Sequence, residues 1–256
     1  MNYMLNSLPA WVLCFCFSAL CVLLSLVLHH FFSRRLQRVR FSSFNESGGI
    51  MFGAISLIYS LILAFVIVAV WEDYEEINKS VIEEAAKLEE VREQAADLPL
   101  SLRIIIDSGV ANYVKTEIAN EWYQYQHHHV SNPALRQIRA QLLLLDTLPA
   151  ADKRVVDAVQ DNIADVQELR YTRAGYLRSH IPLLIWVVLV AGSIIVICFS
   201  WFFTVEPAWA NRLLPGMLTG MLAMCMFLLF MLDHPLCGSS AVSPDPLLHV
   251  IGAPKN

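Results

Sequence analysis

Four long stretches of this chain, roughly residues 10–32, 48–71, 182–204 and 213–232, contain no Lys, Arg, Asp or Glu. Glu206 and Asp233 lie just past the ends of the last two. Each stretch has about the 20 apolar residues that crossing a hydrocarbon core of ~30 Å requires. Inside a bilayer every backbone polar group must find its partner within the segment, so the stretches read as transmembrane helices. Other absences narrow the function. No alternating strand pattern, internal repeat or low-complexity tract occurs. The six cysteines form no CxxC and no metal spacing, so neither a disulfide framework nor a metal site is expected. Cys14, Cys16, Cys21, Cys198 and Cys225 lie within spans and read as small apolar residues, with Cys237 alone in the tail. GxSxG, HExxH and a phosphate-binding glycine loop are all missing, so no enzyme and no cofactor is expected. There is no basic stripe interleaved with aromatics, which argues against nucleic acid as a partner. The lack of charge inside the spans argues against a proton relay or carrier site.

What is present fits a membrane protein. Hydrophobic residues make up 56% of the chain and the mean hydropathy is +0.51. The fold class that follows is an all-α membrane protein, with a helical extramembrane bundle inserted between spans 2 and 3. The expected division is residues 1–71 with spans 1 and 2, residues 72–180 as the bundle, and residues 181–256 with spans 3 and 4 and a C-terminal tail. The first stretch lacks the charged n-region of a signal peptide and is followed by Arg34, Arg35, Arg38 and Arg40, so it reads as a retained span. Those four arginines fall in seven residues of a short loop. By the positive-inside rule this loop is cytoplasmic, and the bundle and both termini lie outside. Arg170, Arg173 and Arg178 before the third span form the competing count, on a long domain that weighs less in the rule.

From Trp71 onward no Gly or Pro appears until Pro99. Ile77, Val81, Ala85, Leu88, Val91 or Arg92, and Ala95 recur at spacings of three and four, the mark of an amphipathic helix. Nothing breaks it from the second span, so one helix from about 48 to 97 is expected, roughly 75 Å long at 1.5 Å per residue. Pro99 opens a second helix near 100–127, Asn132-Pro133 marks a turn before a short helix at 134–147, and Pro149 opens a last one. Val155, Val156, Val159, Ile163, Val166 and Leu169 form its apolar stripe, and it is expected to run on into the third span, with Gly175 and Pro182 permitting a kink. Glu83/Lys87 and Glu89/Arg92 read as helix-surface pairs. His127, His128 and His129 read as a loop tip, with pH sensing or metal ligation as the alternatives.

Several strings then carry a resemblance. They are GGIMFGAISLIYSLILAFVIVAVWEDYEE on the second span, EEAAKLEEV after it, Glu121-Trp122 in the bundle, and LDHPLCGSSAVSPDPL after the fourth span. Together they resemble the bestrophin-like domain family of bacterial and plant membrane proteins, distantly similar to bestrophin chloride channels. The resemblance implies a homo-oligomer, pentameric by analogy, that conducts ions through an apolar neck on the second span. It also implies an integral protein of a bacterial inner (plasma) membrane, with membrane lipid, its own copies and ions as partners. Bestrophins hold their helical domain in the cytosol, opposite to the side that Arg34 to Arg40 indicate.

In such a ring, Phe52, Ile55, Tyr59, Ile62, Val66 and Val70 are the candidate wall, at helical spacing, of a constriction that gates by dewetting. The same stripe also suits a face packed in the protein core or in lipid. Glu72, Asp73, Glu75 and Glu76 form an acidic belt that at a pore mouth would concentrate cations, and outside a pore would be a solvated helix surface. Gly49, Gly53, Ser56 and Ser60, and Gly216 with Gly220, are small residues at the spacing of close helix packing, expected to hold the assembly. The other function class left open is a membrane-anchored interaction or sensing protein that conducts nothing.

Overall fold

The computed structural model describes residues 9–36, 44–123, 133–143, 149–203, 209–237 and 241–252. The loop arginines Arg38 and Arg40, the acid Glu206 and the run His127–His129 lie outside the described residues, as do the side chains of Arg34, Arg35, Glu46 and Glu121. Regular structure among the described residues is helical throughout. The helices are α1 (Ala10–Leu36), α2 (Phe44–Ala95), α3 (Leu100–Ile118), α4 (Pro133–Leu143), α5 (Ala150–Arg178), α6 (Leu183–Ser200), α7 (Ala210–Leu232) and α8 (Asp245–Val250), with a π-helical turn at Ala119–Tyr123 after α3. Four of them are long and apolar enough to cross a membrane: α1, α2, α6 and α7. The protein is thus an all-α integral membrane protein of four spans.

The chain divides into two compact units, one of residues 1–72 and 181–240, the other of 73–180 and 241–256. Helix α2 supplies residues to both. It is unbroken over 52 residues, because no glycine after Gly53 and no proline interrupts its ladder of i to i−4 hydrogen bonds. The tail, grouped by sequence with the third and fourth spans, falls with the helical unit.

In the membrane unit α1 and α7 pack along their lengths, whereas α6 and α7 meet sparsely. Gly216 and Gly220 explain the first contact. A Cβ at Gly216 would stand 3.7 Å from Val22 and 3.8 Å from Leu26, and one at Gly220 would stand 3.4 Å from Val22. Small side chains here let the two backbones approach, and Thr219 bridges them by donating to Ser25 at 3.0 Å. The glycine pair thus sits at a close helix contact within the protomer, between the fourth span and the first.

The last bundle helix does not run into the third span. Helix α5 stops at Arg178 and α6 starts at Leu183, because Pro182 has no N–H to donate and drives Ile181 out of the helical region. The Ile181 N–H that this break releases donates to the Asp233 carboxylate at 2.9 Å, across to the end of α7.

The helical unit buries the stripe predicted on α2, with Ile77, Val81, Ala85, Leu88, Val91 and Ala95 inside and Arg92 exposed. It faces Leu102, Ile106, Val110 and Val114 of α3 and Val156, Val159, Ile163 and Val166 of α5 among the buried residues of this unit. Val155 and Leu169 are only half-buried.

Candidate functional site

Helix α2 presents two faces in the membrane unit. One is turned inward. Tyr59 is 7% exposed, and its hydroxyl donates to the Leu189 carbonyl at 3.0 Å and shares a hydrogen bond with Ser193 at 2.6 Å. Its ring lies over Gly192, where a Cβ would come within 2.4 Å of it. One turn past Tyr59, Leu63 is buried as well, and Val70 is at the margin of burial. Toward the start of α2, Phe52 stacks on Phe199 at 5.6 Å between centroids and meets Phe203 edge-on at 5.3 Å. Ring pairs of this geometry add to the burial they already contribute.

Of the expected pore wall, Tyr59 and Val70 are buried and Phe52 is half-buried within the chain. Ile55 and Val66 sit half-buried at the edge of that face, and Ile62 is exposed. The reason is plain from the pattern. A 3.6-residue apolar stripe marks a buried face, and on a helix that is apolar all round it does not say which neighbour buries it.

The opposite face is exposed among the described residues. Ala54, Ile58, Leu61, Phe65 and Val68 are exposed at alternating steps of four and three, and Glu72 continues the series. Steps of this kind follow a heptad, which keeps one seam of a helix facing a common axis. Of the acidic belt, Glu72, Glu75 and Glu76 are exposed and Asp73 is half-buried. Gly53 is exposed with open space around it, a Cβ at Gly49 would stand 4.0 Å from Phe203, Ser60 donates to its own Leu57 carbonyl at 2.9 Å, and Ser56 is half-buried.

A second constellation lies in the helical unit, and the sequence reading missed it. Glu84 of α2, Glu117 of α3 and Arg173 of α5 are wholly buried, and Arg170 is nearly so. Arg173 donates to Glu84 and, at 3.2 Å, to Glu117, while Arg170 donates to Glu117. The Tyr113 hydroxyl donates to Glu84. Trp122 stacks 5.9 Å from the Arg173 guanidinium and gives its indole N–H to the Val242 carbonyl at 2.8 Å. Two anions and two cations thus close a neutral network inside the bundle, which is the condition for burying charge at tolerable cost. Nearer the surface, Lys87 pairs with Asp165 at 3.2 Å and Glu90 at 3.4 Å, and Arg92 with Asp107 at 2.9 Å. These partners replace the expected Glu83 and Glu89. Glu83 is taken by Lys79 at 3.9 Å.

Burial first, then the carboxylates of Glu84 and Glu117, push the Tyr113 hydroxyl well above the ordinary tyrosine pKa of 10.0. A folded-state pKa above the unfolded one gives stability that is complete below the unfolded value and is lost as pH rises beyond it. Melting temperatures are expected to fall above a pH of about 10, and Tyr113→Phe should flatten part of that fall. An unchanged slope in this variant would show that Tyr113 ionises freely in the folded bundle.

The family model described as a Bestrophin-like domain matches residues 15–247 of the chain. No curated protein and no solved structure matches it.

Proposed function

The chain belongs to the bestrophin-like family, and we propose that it forms a homo-oligomeric ion channel, pentameric by analogy with bestrophins, in a bacterial inner membrane. Helix α2 lines its pore. The observation that carries this reading is the exposed seam of α2, Ala54, Ile58, Leu61, Phe65 and Val68. An exposed helix face, apolar over the span and acidic directly after it, is what a ring of copies needs around an axis. The apolar part forms a neck that ions cross only by shedding hydration water without polar repayment, so it gates by wetting and drying. Glu72, Glu75 and Glu76 follow on the same helix and, multiplied by the number of subunits, set a negative potential at its mouth. The arginine density of the short loop supports a bundle and termini outside the cytoplasm.

Planar-bilayer recordings on the purified protein test the proposal. Phe65→Ala and Ile58→Ala should widen the neck and raise the unitary conductance, whereas Tyr59→Phe should leave the passage width unchanged. Neutralising Glu72, Glu75 and Glu76 together should shift selectivity toward anions, most at low salt where screening is weakest. Silence of the wild type and of every neck variant would end the channel reading in favour of a membrane-anchored interaction protein.

A further inference from the structure

The exposed line of α2 does not end with the residues that follow the span. At ~100° of rotation per residue, Glu72, Lys79 and Glu83 fall within ~20° of the mean direction of the seam from Ala54 to Val68, and Glu76 within ~40°. All four are exposed. Ile77, Val81 and Leu88 lie ~140–180° away on the same stretch of helix and are buried. The alternation of burial thus keeps the register of the seam along α2 past the span. Lys79 is the first basic residue that α2 carries beyond the span. At 1.5 Å per residue it lies ~4.5 Å along the helix from Glu76 and ~10 Å from Glu72. Its ammonium stands 3.9 Å from the Glu83 carboxylate one turn on, with 62% and 49% of the two side chains open to solvent.

With α2 as the pore helix, the reading on which this inference rests, each copy sets the carboxylates of Glu72, Glu76 and Glu83 and the single ammonium of Lys79 along the axis. The energy of an ion in a fixed potential is proportional to its charge. A vestibule lined by carboxylates alone therefore holds a divalent cation far more tightly than a monovalent one, and conduction needs binding weak enough for the ion to leave. The ammonium acts over a Debye length of about 8–10 Å, which takes in Glu76 and reaches Glu72. We propose that Lys79 is a specificity-determining residue of the passage. Its charge keeps the acidic vestibule shallow enough to pass monovalent cations without being plugged by divalent ones.

Potassium currents through the full-length protein in planar bilayers are titrated with Mg²⁺ from each side. Lys79→Gln should lower the half-blocking Mg²⁺ concentration about tenfold. The half-saturating K⁺ concentration should fall only about threefold, the square root, because a monovalent ion feels half the change in energy. Glu83→Gln should raise the half-blocking concentration. The double variant Lys79→Gln with Glu83→Gln restores the charge of that turn and should block as the wild type does, although its ion pair is gone. Lys115→Gln, the same charge change at an exposed position of α3, should shift nothing. Currents with the same block in wild type and Lys79→Gln would overturn the inference alone, and so would a double variant no closer to wild type than Lys79→Gln, which marks a merely structural pair. An equal shift in Lys115→Gln would overturn it as well, since overall charge would then suffice. Absence of current in the wild type and every variant would end the channel reading and this inference with it.

Discussion

Replacing Arg173 by leucine is expected to unfold the helical bundle at temperatures the wild type withstands. The guanidinium is the shared partner of Glu84 and Glu117, and all three side chains are excluded from solvent. Removing it strands two carboxylates in a low dielectric, with only Arg170 and Tyr113 of the described network beside them. Breaking a buried pair in this way costs about 3–5 kcal/mol, a large share of the 5–15 kcal/mol that holds a typical domain together. For a unit of this size the melting temperature should drop by at least ~10 °C. Adding Glu84→Gln should restore part of the loss, since the second change removes one stranded charge. The melt can be followed by the loss of helical circular dichroism. A single variant that melts as the wild type does, or a double variant no better than the single one, would show that the network contributes little.

Gly192→Ala should damage the membrane unit almost as much. The added methyl has no room, because it would stand 2.4 and 2.5 Å from two carbons of the Tyr59 ring. Tyr59 must swing away, and with it go the hydrogen bonds to Leu189 and Ser193 that tie α2 to α6. Overpacking of this kind costs about 1–3 kcal/mol, and interhelical hydrogen bonds in membranes add about 0.6 kcal/mol on average. Gly53→Ala is the contrast, with nothing within 4 Å of its new methyl, and should leave the melt unchanged. Tyr59→Ala combined with Gly192→Ala removes the obstacle and should cost no more than Tyr59→Ala alone. If Gly192→Ala melts like the wild type, Tyr59 does not seat on that glycine in solution.

How much of this was legible depends on which physical signal each feature leaves. The four spans and the unbroken α2 could be read directly, since twenty uncharged residues and a run without Gly or Pro admit few alternatives. The stripe from Ile77 to Ala95 was read correctly because polar neighbours frame it. Inside the bilayer that frame is missing. Phe52 and Tyr59 look no different from Ile58 and Phe65 when every neighbour is apolar, so the pattern alone does not say which face of α2 packs within the chain. The ion network was overlooked for the opposite reason. Glu84 falls in step with Ile77, Val81, Leu88 and Val91, Glu117 with Ile106, Val110 and Tyr113, and Arg170 and Arg173 with Ile163 and Val166. Three helices therefore each carry charge at a core position, with signs that cancel. Counting charged residues that occupy apolar steps, and not only the apolar residues themselves, would have revealed it.

The placement of the tail has a consequence for how the protein is made. Val242, Leu247 and Val250 are buried in the helical unit. Trp122 holds the Val242 carbonyl, and Arg92 donates to that of Val250. These residues leave the ribosome some seventy positions after the rest of the bundle, with two membrane spans to be translated between. At ~5–20 residues per second the bundle stands with its core open for roughly 4–14 s. A chain cut short after the fourth span leaves that apolar surface of the bundle uncovered, open to any protease or chaperone that samples exposed apolar surface.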